Sequence, residues 1–165
     1  MADHTEAVSI DYDPTVIRYE DLLAVFWAGH RCDSLHRSVQ YRNAVFFRDE
    51  GQELVARESL ARQAEGLAIS IDEVATEVLP IHHFTYAEGY HQKYALTRNS
   101  ESRLFLEGLY PSAKELADSS VATRLNAYLG SGLQKDWKAF AAELPSYGLS
   151  ASLEKKLAES VARLG

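Results

Sequence analysis

Apolar and polar positions alternate at the start of the chain, where Val8, Ile10 and Tyr12 are separated by Ser9, Asp11 and Asp13. That period of two predicts a strand, which Pro14 ends. In RYEDLLAVFWAGH (18–30), Tyr19, Leu22, Leu23, Phe26 and Trp27 recur at helical spacing, with Gly29 as a stop. Residues 30–40, HRCDSLHRSVQ, have no period and read as a loop. RNAVFF (42–47) carries three consecutive apolar residues, the mark of a buried strand. Asp49 followed three positions later by Gln52 opens a helix expected to reach about Gly66, with Glu53–Arg57 and Glu58–Arg62 on its wet side. DEVATEVLP (72–80) reads as a third strand, with Val74, Thr76 and Val78 on one face and Pro80 closing it.

Beyond about residue 100 only helical periods remain. Ser100 can cap a helix carrying Leu104, Phe105 and Leu109, ended by Pro111. Further helices are marked by Val121, Leu125 and Leu129, by Trp137, Phe140, Ala141 and Leu144, and by Leu153, Leu157, Val161 and Leu164. The order of elements predicts an α+β fold. A two-layer sandwich of a small mixed sheet with helices spans 1–96, and an all-α extension spans 97–165.

Composition narrows the functional classes. A chain of 165 residues can bury roughly 70% of its unfolded surface and needs no covalent staples. A net charge of -7 argues against nucleic acid, whose binders present a basic face. No apolar run approaches a membrane span, and MADHTEAVSI lacks the basic and apolar regions of a signal peptide. The single cysteine, Cys32, cannot form an internal disulfide, so a reducing, cytoplasmic setting is expected. A targeting segment ahead of Met1 would change that.

Two groups of motifs carry a resemblance. One is DHTEAVSIDYDP (3–14), then RYEDLLAVFWAGH, then QYRNAVFF (40–47). The other is TEVLP (76–80) followed by FTYAEGYHQKY (84–94). In this order and spacing, over about residues 3–96, the chain resembles the peptide methionine sulfoxide reductase A family. The resemblance implies reduction of the S epimer of methionine sulfoxide in peptides and proteins, with a thioredoxin-like dithiol as reductant and no cofactor or metal. In that chemistry a thiolate attacks the sulfoxide sulfur, methionine leaves, and the sulfenic acid is resolved through a disulfide. Tyrosine hydroxyls and a carboxylic acid bind and protonate the sulfoxide oxygen.

The family's Gly-Cys-Phe-Trp-Gly nucleophile motif does not occur in these 165 residues. Its aromatic methyl-pocket walls and the acid expected just downstream are absent with it, and the sequence reads as an N-terminally incomplete version of the fold. Phe26–Trp27 lies inside another helix and is not that motif. By resemblance Tyr41 points its hydroxyl at the sulfoxide oxygen, although LHRSV (35–39) lacks the acid often found before it. Tyr86, Glu88 and His91 are near-site scaffold by the same resemblance, with Gln92 beside them. His30-Arg31 stands where the family has His-Asp.

Cys32 has two readings, a relocated nucleophile activated by a nearby histidine or an exposed loop thiol. His30, Cys32, Asp33 and His36 also suggest a metal cluster, but zinc sites show tighter paired spacing. Three functional readings follow. The chain is a truncated reductase, poorly stable alone because a central strand and helix would be missing. It is a non-catalytic scaffold or methionine-binding descendant. Or it is a reductase using Cys32.

Overall fold

The computed structural model describes residues 4–35, 38–98, 110, 112–130 and 137–164. They gather into two compact units, Met1–Phe84 and Thr85–Gly165. The YAEGYHQKY stretch therefore lies in the second unit.

The first unit is built from α1 (Tyr19–Ala28), β1 (Ala44–Phe47), α2 (Glu50–Leu67) and β2 (Glu77–Pro80). The strands pair in parallel, with Val45 opposite Val78 and Phe46 opposite Leu79. A parallel pair needs a crossover, and α2 supplies it. Asp49 caps α2 by accepting from the Gln52 N–H at 2.8 Å, while the Gln52 side chain accepts from the Arg48 N–H. This is the start the sequence predicts. The helix ends past Gly66, with Ala68 in the left-handed conformation (φ 55°).

Leu23, Trp27, Cys32, Val45, Ala56 and Val78 form the core of this unit. Small residues on α2 let α1 approach it. Ala56 and Ser59 are buried, and Trp27 donates from Nε1 to the Ser59 hydroxyl at 3.0 Å. Ser59 in turn donates to the Ala56 carbonyl, so the buried indole N–H and the hydroxyl are both satisfied.

The α+β class stands, but two expected strands change. Residues 8–12 carry no regular secondary structure and do not join the sheet, and Val8 is 85% exposed. Alternation reports fitness for a strand; a strand also needs a ladder partner, and this segment bonds elsewhere. Its neighbour Glu6 donates its N–H to the Gln40 carbonyl, and Ser9 accepts from Arg48. The third strand is only Glu77–Pro80. Before it, Ile71–Glu73 is a 3-10 turn with the Glu73 carboxylate accepting from the Ser70 N–H. Ala75 and Thr76 both donate to the Cys32 carbonyl rather than to a strand.

The second unit is helical: α3 (Tyr94–Arg98), α4 (Ala113–Asp118), α5 (Ser120–Gly130), α6 (Trp137–Glu143) and α7 (Ala151–Leu164), with a 3-10 turn at Leu144–Tyr147. Its core is Leu96, Val121, Ala122, Leu125, Phe140, Leu144 and Leu157. The expected faces hold at Val121 and Leu125 on α5 and at Phe140 on α6, while buried Leu144 opens the 3-10 turn that follows. The helix expected over Leu104–Leu109, and the side chains of Trp137, Leu153, Val161 and Leu164, lie outside the described residues. α3 and α5 pack closely, since a Cβ on Gly130 would stand 2.9 Å from that of Ala95.

Arg124 on α5 forks onto Glu143 through Nε and Nη2, and the Tyr147 hydroxyl donates to the same carboxylate. The Arg124 bonds, helped by Tyr147, hold the Glu143 carboxyl below its ordinary range. A lowered carboxyl stabilises the fold above its unfolded pKa of about 4.3 and loses that contribution as pH falls through the lowered folded value. Glu143→Gln should therefore lower the urea midpoint at about pH 7 and leave it near wild type at about pH 2, where both forms are neutral. Equal losses at the two pH values would show that the pair does not titrate with folding.

Candidate functional site

Three motif fragments, distant in sequence, meet on the first unit. Val39–Tyr41 is a 3-10 turn in which Ser38 accepts the Gln40 N–H on its side chain and the Tyr41 N–H on its carbonyl. The turn presents Tyr41 with 57% of its surface exposed. Among the described residues no side chain pairs with its hydroxyl. Arg42 then turns back, donating from Nε to the Thr5 hydroxyl at 2.9 Å and from Nη1 to the Glu77 carboxylate at 3.3 Å. Its guanidinium also stands 5.8 Å from the centre of the Phe46 ring. Thr5 donates to the Val39 carbonyl at 3.0 Å. So His-Thr-Glu (4–6), Gln-Tyr-Arg (40–42) and Thr-Glu (76–77) share one bonded network.

Glu6 is placed by this network. Its N–H donates to the Gln40 carbonyl at 2.9 Å, and Gln40 Nε2 donates to Glu6 Oε1 at 2.7 Å. A carboxyl group is thus fixed against the residue that precedes Tyr41. Chemically, an exposed phenol and a carboxyl with one oxygen open can donate to, and protonate, a developing oxyanion. Nothing in the sequence around Glu6 marks it as that acid. The His-Thr-Glu fragment was visible; its pairing with Gln40 across 34 residues was not.

Cys32 is not an exposed loop thiol. It is 6% exposed and packs in the core with Leu23, Trp27, Val45, Ala56 and Val78. Apolar neighbours bury it because the loop after α1 folds inward, with its carbonyl receiving Ala75 and Thr76. Both ring nitrogens of His30 are engaged away from the thiol: Nδ1 meets the Phe26 carbonyl at 2.8 Å and Nε2 meets the Thr76 hydroxyl at 2.9 Å. A carbonyl only accepts, so Nδ1 carries the proton. The ring also stacks on Trp27, centroids 5.6 Å apart. His30 therefore ties the end of α1 to the entry of β2. Arg31, at the family's Asp position, pairs with Asp33 on the surface, and that bond holds the Asp33 carboxyl below its ordinary value. His36 lies outside the described residues, and among those described no three metal-binding side chains come together.

The remaining predicted residues belong to the second unit. The Tyr86 hydroxyl donates to Asp118, and the Lys114 ammonium lies 5.4 Å from the centre of its ring. Lys114 holds the Asp118 carboxyl below its ordinary value. A shallow pocket there is lined by Tyr86, Ala87, Gly89, Gln92, Ala113 and Lys114. Glu88 and His91 form an exposed pair at 3.9 Å, and Gln92 donates to the Ala87 carbonyl. These bonds hold a turn that leads into α3.

A sequence profile of the peptide methionine sulfoxide reductase family matches residues 1–122. A peptide methionine sulfoxide reductase of Drosophila melanogaster is 38% identical over 153 residues, which cover 91% of this chain and 58% of the relative. Peptide methionine sulfoxide reductase A2 of Arabidopsis thaliana is 41% identical over 96 residues, 55% of this chain and 43% of the relative. A rice relative, A2-2, is 42% identical over 96 residues, 55% of this chain and 49% of its own length. The chain spans about half the length of the curated relatives it matches. The fly match is long enough to take in much of the helical unit as well.

Proposed function

The chain belongs to the peptide methionine sulfoxide reductase family, and from that premise we propose that it acts on the S epimer of methionine sulfoxide in peptides and proteins, binding and protonating the sulfoxide oxygen. The observation that carries this reading is the Glu6 carboxyl, held by Gln40 beside the exposed Tyr41. Tyr41 donates a hydrogen bond to the oxygen and Glu6 supplies the proton as the S–O bond weakens. Turnover further requires a thiolate to take the sulfur, which the Gly-Cys-Phe-Trp-Gly motif supplies in the intact family and which these 165 residues do not present at an accessible position; a thioredoxin-like dithiol then returns the oxidised enzyme to its thiol state. Reduction in a reducing, cytoplasmic setting fits the absence of any cysteine pair in the sequence.

A second reading, binding without turnover, is supported by two observations. The Gly-Cys-Phe-Trp-Gly motif does not occur in this sequence, and the one thiol it has is buried. Cys32 as nucleophile has no such support, because a thiol packed among Trp27 and Val78 meets no peptide without opening the core.

Titration of the chain with each epimer of N-acetylmethionine sulfoxide amide tests the proposal. The S epimer should bind at least about tenfold more tightly than the R epimer, since fixing the oxygen leaves the methyl group misplaced in the other hand. No binding, or equal binding of both, overturns it. Adding dithiothreitol to the bound S epimer then separates the two readings: released methionine supports reduction, and its absence supports binding alone.

A further inference from the structure

We infer that Gln40 is the positioning residue for Glu6, and that it selects which carboxyl oxygen carries the proton delivered to substrate. The inference rests on the sulfoxide reading above. Glu6 and Gln40 are joined twice, backbone to backbone at 2.9 Å and side chain to side chain at 2.7 Å. A carboxylate accepts only, so the amide must present its NH2 to Oε1. That contact serves both protonation states. It donates to the ionised carboxylate and, more weakly, to the carbonyl oxygen of the neutral acid. A proton on Oε1 would compete with the amide N–H for the same region, so the acidic proton sits on Oε2. Oε2 is the oxygen that no described residue bonds.

The anchor is itself held. Gln40 donates its backbone N–H to the Ser38 hydroxyl, and Thr5, next to Glu6, bridges Val39 and Arg42. The amide therefore starts from a fixed turn, and the exposed glutamate takes one orientation rather than many. A long exposed carboxylate without such a partner samples several rotamers.

The test is a double-mutant cycle read by binding of the S epimer of N-acetylmethionine sulfoxide amide to the full chain. Gln40→Met keeps the side-chain length and removes the donor. It should weaken binding about three- to tenfold in the wild-type background and leave binding unchanged in the Glu6→Ala background. The same loss in both backgrounds marks a merely structural residue and overturns the inference, as does no loss in either. A second readout needs no ligand. In wild type the Gln40 side-chain NH2 resonances should move with pH in step with the Glu6 carboxyl, and in Glu6→Ala that movement should vanish. Amide resonances that ignore the titration overturn the inference whatever the ligand does. If they follow it but wild type binds neither epimer, the sulfoxide reading fails, and a positioning role in it fails too, while the Gln40–Glu6 bond stands.

Discussion

Replacing Trp27 by alanine should cost the first unit about 3–5 kcal/mol, the range for a buried tryptophan truncated in a core that relaxes only in part. Trp27 is buried between α1 and α2, edge-on to Phe26 at 5.1 Å and stacked on His30. Its loss leaves a void lined by Leu23, Val45 and Val78 and strips Ser59 of its donor. It also removes the surface on which His30 rests while bonding Thr76, so the entry to β2 loosens. The hydrogen bond alone is a minor part, about 1 kcal/mol. Trp27→Phe, which loses that bond and some ring area but keeps an aromatic plug, should cost about half as much or less. Whole domains hold only about 5–15 kcal/mol, so the alanine variant should stand close to unfolding. Denaturant midpoints, with amide exchange in α1 and α2 to localise the loss, decide the matter. A Trp27→Ala midpoint within about 1 kcal/mol of wild type would show that the α1–α2 contact is not the core of this unit.

That contact was legible in the sequence, and the reason is periodicity. Tyr19, Leu22, Leu23, Phe26 and Trp27 fall on one face whatever they pack against, and Asp49 with Gln52 declares a helix start by local chemistry alone. β1 was equally plain, because Val45, Phe46 and Phe47 have few places to go but a sheet. The misses have one common cause: their structure depends on partners that sequence does not show. Residues 8–12 have a strand's alternation, but no ladder forms there; Ser9 accepts from Arg48 on its side chain instead. α3 and α4 are too short for a period to announce them. For α4 a local signal did exist, since Ser112 and Glu115 cap its start reciprocally.

The site divides in the same way. Tyr41 is singled out by resemblance alone, and the structure places it, exposed, on a 3-10 turn. Cys32 was misjudged because HRCDSLH is polar and aperiodic, which describes its neighbours and not the cysteine itself. The loop turns that one side chain into the core and leaves Arg31 and Asp33 outside. Glu6 was missed because its significance is relational. In sequence it is one of many acidic residues; in the fold it is the one whose carboxyl the Gln40 amide holds.

On the proposed reading, and with a thiolate supplied to the bound sulfoxide, Glu6→Gln should slow its reduction about 100- to 10,000-fold, the usual contribution of a positioned general acid, while changing sulfoxide binding little. The amide still offers an N–H to the oxygen but has no proton to give, so the loss falls on turnover and not on affinity. Tyr41→Phe removes a donor without an acid. It should weaken binding and turnover together, the latter by up to about 100-fold if the hydroxyl meets the oxygen as charge develops. Neither substitution should shift the denaturant midpoint by more than about 0.5 kcal/mol, because both side chains are exposed and neither fills core volume. The contrast between the two variants is what identifies the roles. If Glu6→Gln binds the S epimer and reduces it at the wild-type rate, the proton comes from another group and the Glu6 assignment fails. If it binds and neither it nor wild type reduces, the chain is a sulfoxide binder, and Tyr41→Phe should then be the more damaging change. Tyr41→Phe that binds like wild type would remove the phenol from either account.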